Sequence, residues 1–169
     1  MSAFAKTVAQ LSALLTLAAM SVSAQQAHYQ KHGAVLLPDD GVTPGVIART
    51  DTPKVCATKW GKDERAVTEV MKKQVYARYG VVKGQGVCKL VSHRGANGKT
   101  FTRGCEIDHR VSRDVGGADV LDNLWPQPYL SPDKPGAYQK DKLEVWLNKQ
   151  VCTTHTMTLE DAQQALKGD

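Results

Sequence analysis

Apolar positions along the chain fall into one early run and several short patterned stretches. Leu11–Met20 is the early run, about ten residues between Lys6 and the small residues Ser21-Val22-Ser23-Ala24. It is well short of the roughly 20 residues that span a bilayer, and the basic, apolar, small order is that of an export signal. Cleavage is expected after Ala24, leaving 145 of the 169 residues and no membrane segment. Residues 25–54 carry Gly33, Pro38, Gly41, Pro44, Gly45 and Pro53 with little periodicity, and read as an extended N-terminal arm. One domain is expected over 55–169.

Within that domain Val67, Val70, Met71, Val75 and Tyr79 recur at helical spacing, predicting a helix over Asp63–Tyr79 that Gly80 terminates. Val87–His93 and Lys99–Arg103 predict strands around a turn at Gly95-Ala96-Asn97-Gly98. Glu106–Ser112 predicts a strand, Gly116-Gly117 a loop, and Val120–Tyr129 a second extended stretch ended by Pro126 and Pro128. A helix is expected over Pro135–Val151, capped by Asp133, with Tyr138, Leu143, Trp146, Leu147 and Val151 as its buried stripe. A short last helix is expected over Thr158–Leu166, with Thr158 and Asp161 in a capping-box arrangement. The fold class is α+β.

Composition narrows the picture little. With 22 Lys+Arg against 17 Asp+Glu the net charge is +5, and +4 once Lys6 leaves with the signal. That excess fits a polyanionic partner modestly. Export changes how the cysteines are read. Cys56, Cys88, Cys105 and Cys152 form an even set in an oxidising compartment, which implies two disulfides. Of the three pairings, Cys88 with Cys105 and Cys56 with Cys152 are favoured, each closure contributing about 3–4 kcal/mol. No pair has the close spacing of a cysteine zinc site.

The chemistry concentrates in Glu106-Ile107-Asp108-His109, Gly116-Gly117 and Asn123-Leu124-Trp125-Pro126, followed by a helix with Lys140-Asp141 and Glu144. Phosphodiester hydrolysis needs a base near neutrality, a hard cation on carboxylate oxygens, and a group that orients the base. Histidine, aspartate and an amide supply these. Neighbours on a strand face opposite ways, so Asp108 and His109 share a site only where the strand kinks or ends.

Asp108-His109 followed by Asn123 resembles the first two elements of the His-Asn-His (HNH, ββα-metal) nuclease motif. The string EIDHRVSRDVGGADVLDNLWPQPY, then KDKLEVWLNKQVC and TLEDAQQAL, resembles a group of small exported bacterial HNH-like proteins over residues 55–166. The resemblance implies a disulfide-stapled ββα-metal core with flanking helices. It implies cleavage of DNA, with RNA left open as a further substrate. No recognition helix is apparent in the sequence, so little sequence preference is expected. His109 would be the general base and Asn123, on the second strand, the support of the base or its loop. Glu106 is a further catalytic candidate on its position alone, read equally as a strand-surface carboxylate or as a group behind the metal ligands. Asp108 would bind the metal. The family's last histidine has no counterpart, since none occurs between His109 and His155. Asp133 and Asp141 are the candidate replacements, with Gln127 behind them. An oxygen-rich set favours Mg2+ or Mn2+ over Zn2+. Arg103, Arg110 and Arg113 are candidate phosphate clamps.

Blander roles stand beside these. Trp125 reads as core packing. Lys140 and Glu144 read as an i,i+4 surface pair of small worth. The remaining histidines read as solvated or structural. The rival to a nuclease is an exported nucleic-acid- or metal-binding protein that keeps the fold without the reaction. Either would be secreted or periplasmic.

Overall fold

The computed structural model describes residues 28–33, 35–59, 62–94, 98–129 and 136–168. The signal segment 1–24 and Asp133 lie outside the described residues, as does most of the 95–98 turn. The described residues form an α+β fold of four helices and antiparallel two-stranded sheets. No helix among them is long and apolar enough to cross a membrane.

The described part of the N-terminal arm is folded onto the domain. β1 (Tyr29–His32) pairs with β2 (Val35–Pro38), and α1 (Thr52–Ala57) follows, capped by Asp51. Tyr29 packs on Tyr79 and Trp125, and its hydroxyl donates to the Pro126 carbonyl at 2.6 Å. Thr43 is fully buried and donates to the Leu124 carbonyl at 3.1 Å. The Gly and Pro residues of this segment set its turns, while its aromatic and hydroxyl groups supply the contacts.

α2 is shorter than the periodicity predicts, Glu69–Arg78, because the Thr68 side chain caps it by accepting from Met71 N–H. Residues 63–66 are spent instead on contacts with the candidate site. Val75 and Tyr79 are buried, but Val70 is 65% exposed and leaves the expected stripe. Gly80 follows the helix at φ 61°, the left-handed conformation that suits glycine. β3 (Val91–Arg94) and β4 (Thr100–Arg103) form a hairpin, with a tight turn at Gly86–Cys88 before them in place of the predicted early strand. The disulfides pair Cys88 with Cys105 and Cys56 with Cys152.

β5 (Cys105–His109) and β6 (Leu124–Pro128) pair antiparallel, with Asp108 opposite Trp125 and His109 opposite Leu124. α3 (Ala137–Cys152) and α4 (Leu159–Lys167) follow. Leu147 and Val151 of α3 are buried, while Leu143 and Trp146 are substantially exposed. One apolar cluster joins Val55, Val111, Val115, Leu147, Val151, Leu159 and Ala162. A second joins Val75, Tyr79, Ile107, Leu124 and Trp125. The strands belong to the second cluster and the 110–118 loop between them belongs to the first. His109 therefore stands where the chain passes from one core to the other.

Candidate functional site

His109 ends β5, and the loop after it is held from beneath. Asn123 is completely buried, in a 3-10 turn just before β6 and not on the strand itself. Its amide donates to the carbonyls of Val111 at 3.0 Å and Ala118 at 2.9 Å, and its oxygen accepts from Val111 N–H at 2.9 Å. The Arg110 N–H donates to the Asn123 carbonyl at 2.7 Å. Gly116 has φ 92°, and a Cβ at Gly117 would run into the Val111 carbonyl. Asn123 and the glycine pair thus fix the loop, and through it the end of the strand that carries His109.

Next to that strand end lies a cleft of about 200 Å³. His109 and Asp108 both border it, as do Glu106, Asp114, Asp141 and Glu144. The end of β5 satisfies the geometric requirement that alternation along a strand imposes. A larger, mostly apolar cavity of about 520 Å³ lies elsewhere, bordered by Leu37, Trp125, Leu143 and Leu166, and does not include His109.

The imidazole is almost wholly buried. Its Nε2 lies 2.6 Å from Asp119 Oδ1. Asp119 also accepts from Ala66 N–H at 2.8 Å, and Arg113 Nε approaches it at 3.5 Å. Burial works to raise the Asp119 pKa, but the Ala66 amide, the His109 ring and the Arg113 charge together hold it below the usual carboxylate range. For His109 burial is the largest influence and lowers its pKa, against the raising effects of Asp119 and Asp108. A neutral imidazole beside an ionised carboxylate carries its proton on Nε2, because the carboxylate only accepts. Nδ1 is left as the basic lone pair, with no hydrogen bond from the described residues.

Lys140 has a different place from the one its spacing predicts. Its ammonium donates to Asp108 Oδ2 at 2.7 Å, to the His109 carbonyl at 2.7 Å, and to Glu144. This i,i+4 pair is an enclosed bridge between α3 and β5, not a surface pair. Burial disfavours the charged amine, but Asp108 and Glu144 more than offset it and hold the Lys140 pKa above the ordinary lysine value. Burial pushes Glu106 up to about 7, with the charges of Asp108 and Asp141 adding to it and the Tyr129 hydroxyl donating to its carboxylate. Asp114 and Asp141 are raised as well, burial first and neighbouring carboxylates second.

The three candidate arginines separate. Arg110 is not in the cleft. It is buried, donates to the Thr43 carbonyl at 2.8 Å and to the Lys167 carbonyl, and pairs with Asp40. It ties the N-terminal segment to α4, so its assignment as a phosphate clamp is corrected to a structural one. Arg113 borders the cleft, yet it is bound to Asp63, Asp119 and the Glu64 carbonyl. Arg103 is exposed, lies over the Phe101 and Tyr129 rings, and donates to the Tyr129 hydroxyl at 2.7 Å. Gln127 is buried and borders the larger cavity instead of the cleft.

The donor chemistry suits a hard divalent cation. Five carboxylate residues border the cleft, against Arg65, Arg113 and the Lys140 ammonium. The side chains do not converge on a ready-made set: among the described residues no group of three His, Cys, Asp or Glu is placed to hold a metal. Asp119, Lys140 and Asp114 were not singled out as site residues from sequence. Asp119 is ten residues from His109 and adjoins the glycine loop, the one local signal that could have flagged it.

No family model, curated protein or solved structure matches this chain.

Proposed function

We propose that this protein is an exported, divalent-cation-dependent endonuclease that hydrolyses phosphodiester bonds of DNA, with RNA a further candidate substrate, and with little sequence preference. The observation that carries the proposal is the His109–Asp119 pair, which leaves Nδ1 without a hydrogen bond from the described residues, on a histidine that borders a carboxylate-lined cleft. The succession of β5, a glycine loop, β6 and α3 supports a ββα-metal core. Two disulfides support a secreted or periplasmic location.

In this reading His109 Nδ1 takes a proton from water, and the water oxygen forms a bond to phosphorus as the bond to the opposite ester oxygen breaks. Asp119 holds the ring and stabilises the imidazolium that forms. The leaving oxygen needs a proton, and Glu106 is the group suited to give it. Burial displaces the His109 and Glu106 pKa values in opposite directions, as a base and an acid working at one pH require. Asn123 keeps the loop, and so the ring, in place. Asp108, Asp141 and Glu144 would hold the cation, Mg2+ or Mn2+ ahead of Zn2+, whose charge would offset that of the scissile phosphate.

A second reading is an exported binding protein without the reaction. Its support is that Asp108, the expected metal ligand, is paired with Lys140. Purified protein incubated with plasmid and Mg2+, Mn2+, Zn2+ or EDTA separates the two. Metal-dependent cleavage that His109→Ala abolishes is the expected result. Absence of cleavage with every metal, or equal cleavage by the variant, overturns the nuclease proposal.

A further inference from the structure

The charge of this chain is unevenly placed. Residues 81–105 carry Lys83, Lys89, Arg94, Lys99 and Arg103 and no Asp or Glu. Removing those five from the 22 basic residues leaves 17, equal to the 17 acidic residues, so this segment accounts for the entire +5. All five side chains are on exposed residues. They lie on the β3–β4 hairpin and on the segment leading into it.

The hairpin is anchored to the candidate site. β4 passes through Gly104 directly into β5, and the Cys88–Cys105 disulfide closes the base. Tyr129 N–H donates to the Gly104 carbonyl at 2.8 Å. Arg103 reaches the Tyr129 hydroxyl, which in turn donates to Glu106 at the cleft. A cation-rich ribbon is thus fixed beside an acid-rich cleft. Without a bound cation the cleft would repel a polyanion and the ribbon attract it, so in EDTA the ribbon is the main source of affinity. A four-residue strand extends about 13 Å, comparable with about four phosphates at 3.4 Å per nucleotide of one strand.

We infer that the exposed face of β3 and β4, which carries Arg94, together with Lys83 and Lys89 of the lead-in segment, forms a nucleic-acid backbone-binding surface that delivers the strand to the His109 cleft, while Arg103 stands on the opposite face of the ribbon beside Tyr129. The choice of nucleic acid over another polyanion rests on the proposed phosphodiester chemistry next door. The surface itself rests on charge and placement.

The test measures binding apart from cleavage. Wild-type protein in EDTA is titrated into a fluorescein-labelled 20-base-pair DNA duplex, with anisotropy followed across 50–200 mM salt. The triple variant Lys83→Gln, Lys89→Gln, Arg94→Gln is compared with a control triple on α1 and α3, Lys54→Gln, Lys142→Gln, Lys149→Gln. Melting curves check that both are folded. Loss of three phosphate contacts should reduce the salt slope by about 2.7 and weaken binding at 50 mM salt at least tenfold. The control should change little. An unchanged slope, an equal loss in the control, or binding to phosphatidylserine vesicles with none to the duplex overturns the inference. If the hairpin triple loses binding while the wild type cuts nothing in any metal, this surface stands and the nuclease reading fails. If the wild type cuts and the triple binds and cuts equally well, the reverse holds.

Discussion

Replacing Lys140 with methionine removes an ammonium that joins α3 to the end of β5. Its hydrogen bonds to Asp108 and to the His109 carbonyl are both 2.7 Å, and the Lys140, Asp108 and Glu144 side chains are 13%, 17% and 14% exposed. At an effective dielectric constant near 20, a charge pair at that distance interacts by about 6 kcal/mol, most of which desolvation offsets. Breaking such a pair while leaving its partners enclosed costs about 3–5 kcal/mol. For a domain of this size that corresponds to a fall in Tm of roughly 10–15 °C. The sign with pH follows from the groups involved. The raised Lys140 pKa gives wild type a contribution that is complete throughout acidic and neutral pH and fades only at high pH. In the variant the stranded carboxyls are relieved by protonation, so the gap should be large at pH 8 and shrink toward pH 5. Calorimetry or thermal circular dichroism at the two pH values is the assay. Replacing Asp108 with Asn and Glu144 with Gln in the same chain should recover most of the loss. A Tm change under about 3 °C at pH 8, or one identical at both pH values, would refute Lys140 as the counter-ion of the cleft.

Three further outcomes follow from the site. Asp119→Asn should lower kcat on the order of 10²-fold or more, with little change in KM. It should also move the acidic limb of the pH–rate profile downward, because Asp119 raises the His109 pKa; an unmoved limb would refute the orienting role. Asn123→Ala leaves three buried backbone groups without partners and should cost about 3 kcal/mol in urea unfolding; a loss under about 1 kcal/mol would contradict the loop-pinning role. Glu106→Gln should stabilise the protein by up to about 3 kcal/mol at pH 8 and negligibly at pH 4. The native carboxyl titrates near 7 against an ordinary 4.5, so wild type loses stability as pH rises through that window, and a difference constant with pH would rule the assignment out.

Sequence by itself determined what is contiguous or purely compositional. Asp108 and His109 are neighbours, but the strand expected over Glu106–Ser112 would turn them to opposite faces; that β5 ends at His109, so that both border the cleft, is decided by the fold. The even cysteine set and its spacing led to the disulfide pairing seen, since a close pair staples locally and the remaining two must join across the core. Apolar spacing located α3 and α4 to within a few residues. Tertiary structure alone decided which polar groups meet. The Arg110 and Arg113 side chains are close in sequence and chemically alike, yet one binds Thr43 and Lys167 and the other Asp63 and Asp119, because the loop turns sharply between two cores. Lys140 and Glu144 have the spacing of a solvated helix pair, and only the approach of Asp108 on β5 encloses them. Helical periodicity over 63–66 yielded to the same cause: Asp63, Glu64 and Ala66 satisfy Arg113 and Asp119 rather than one another. Local pattern is written by backbone geometry and hydrophobic burial, which act over a few residues. The partner of a buried charge is selected by whatever the folded chain brings within about 3 Å, and no spacing rule carries that information.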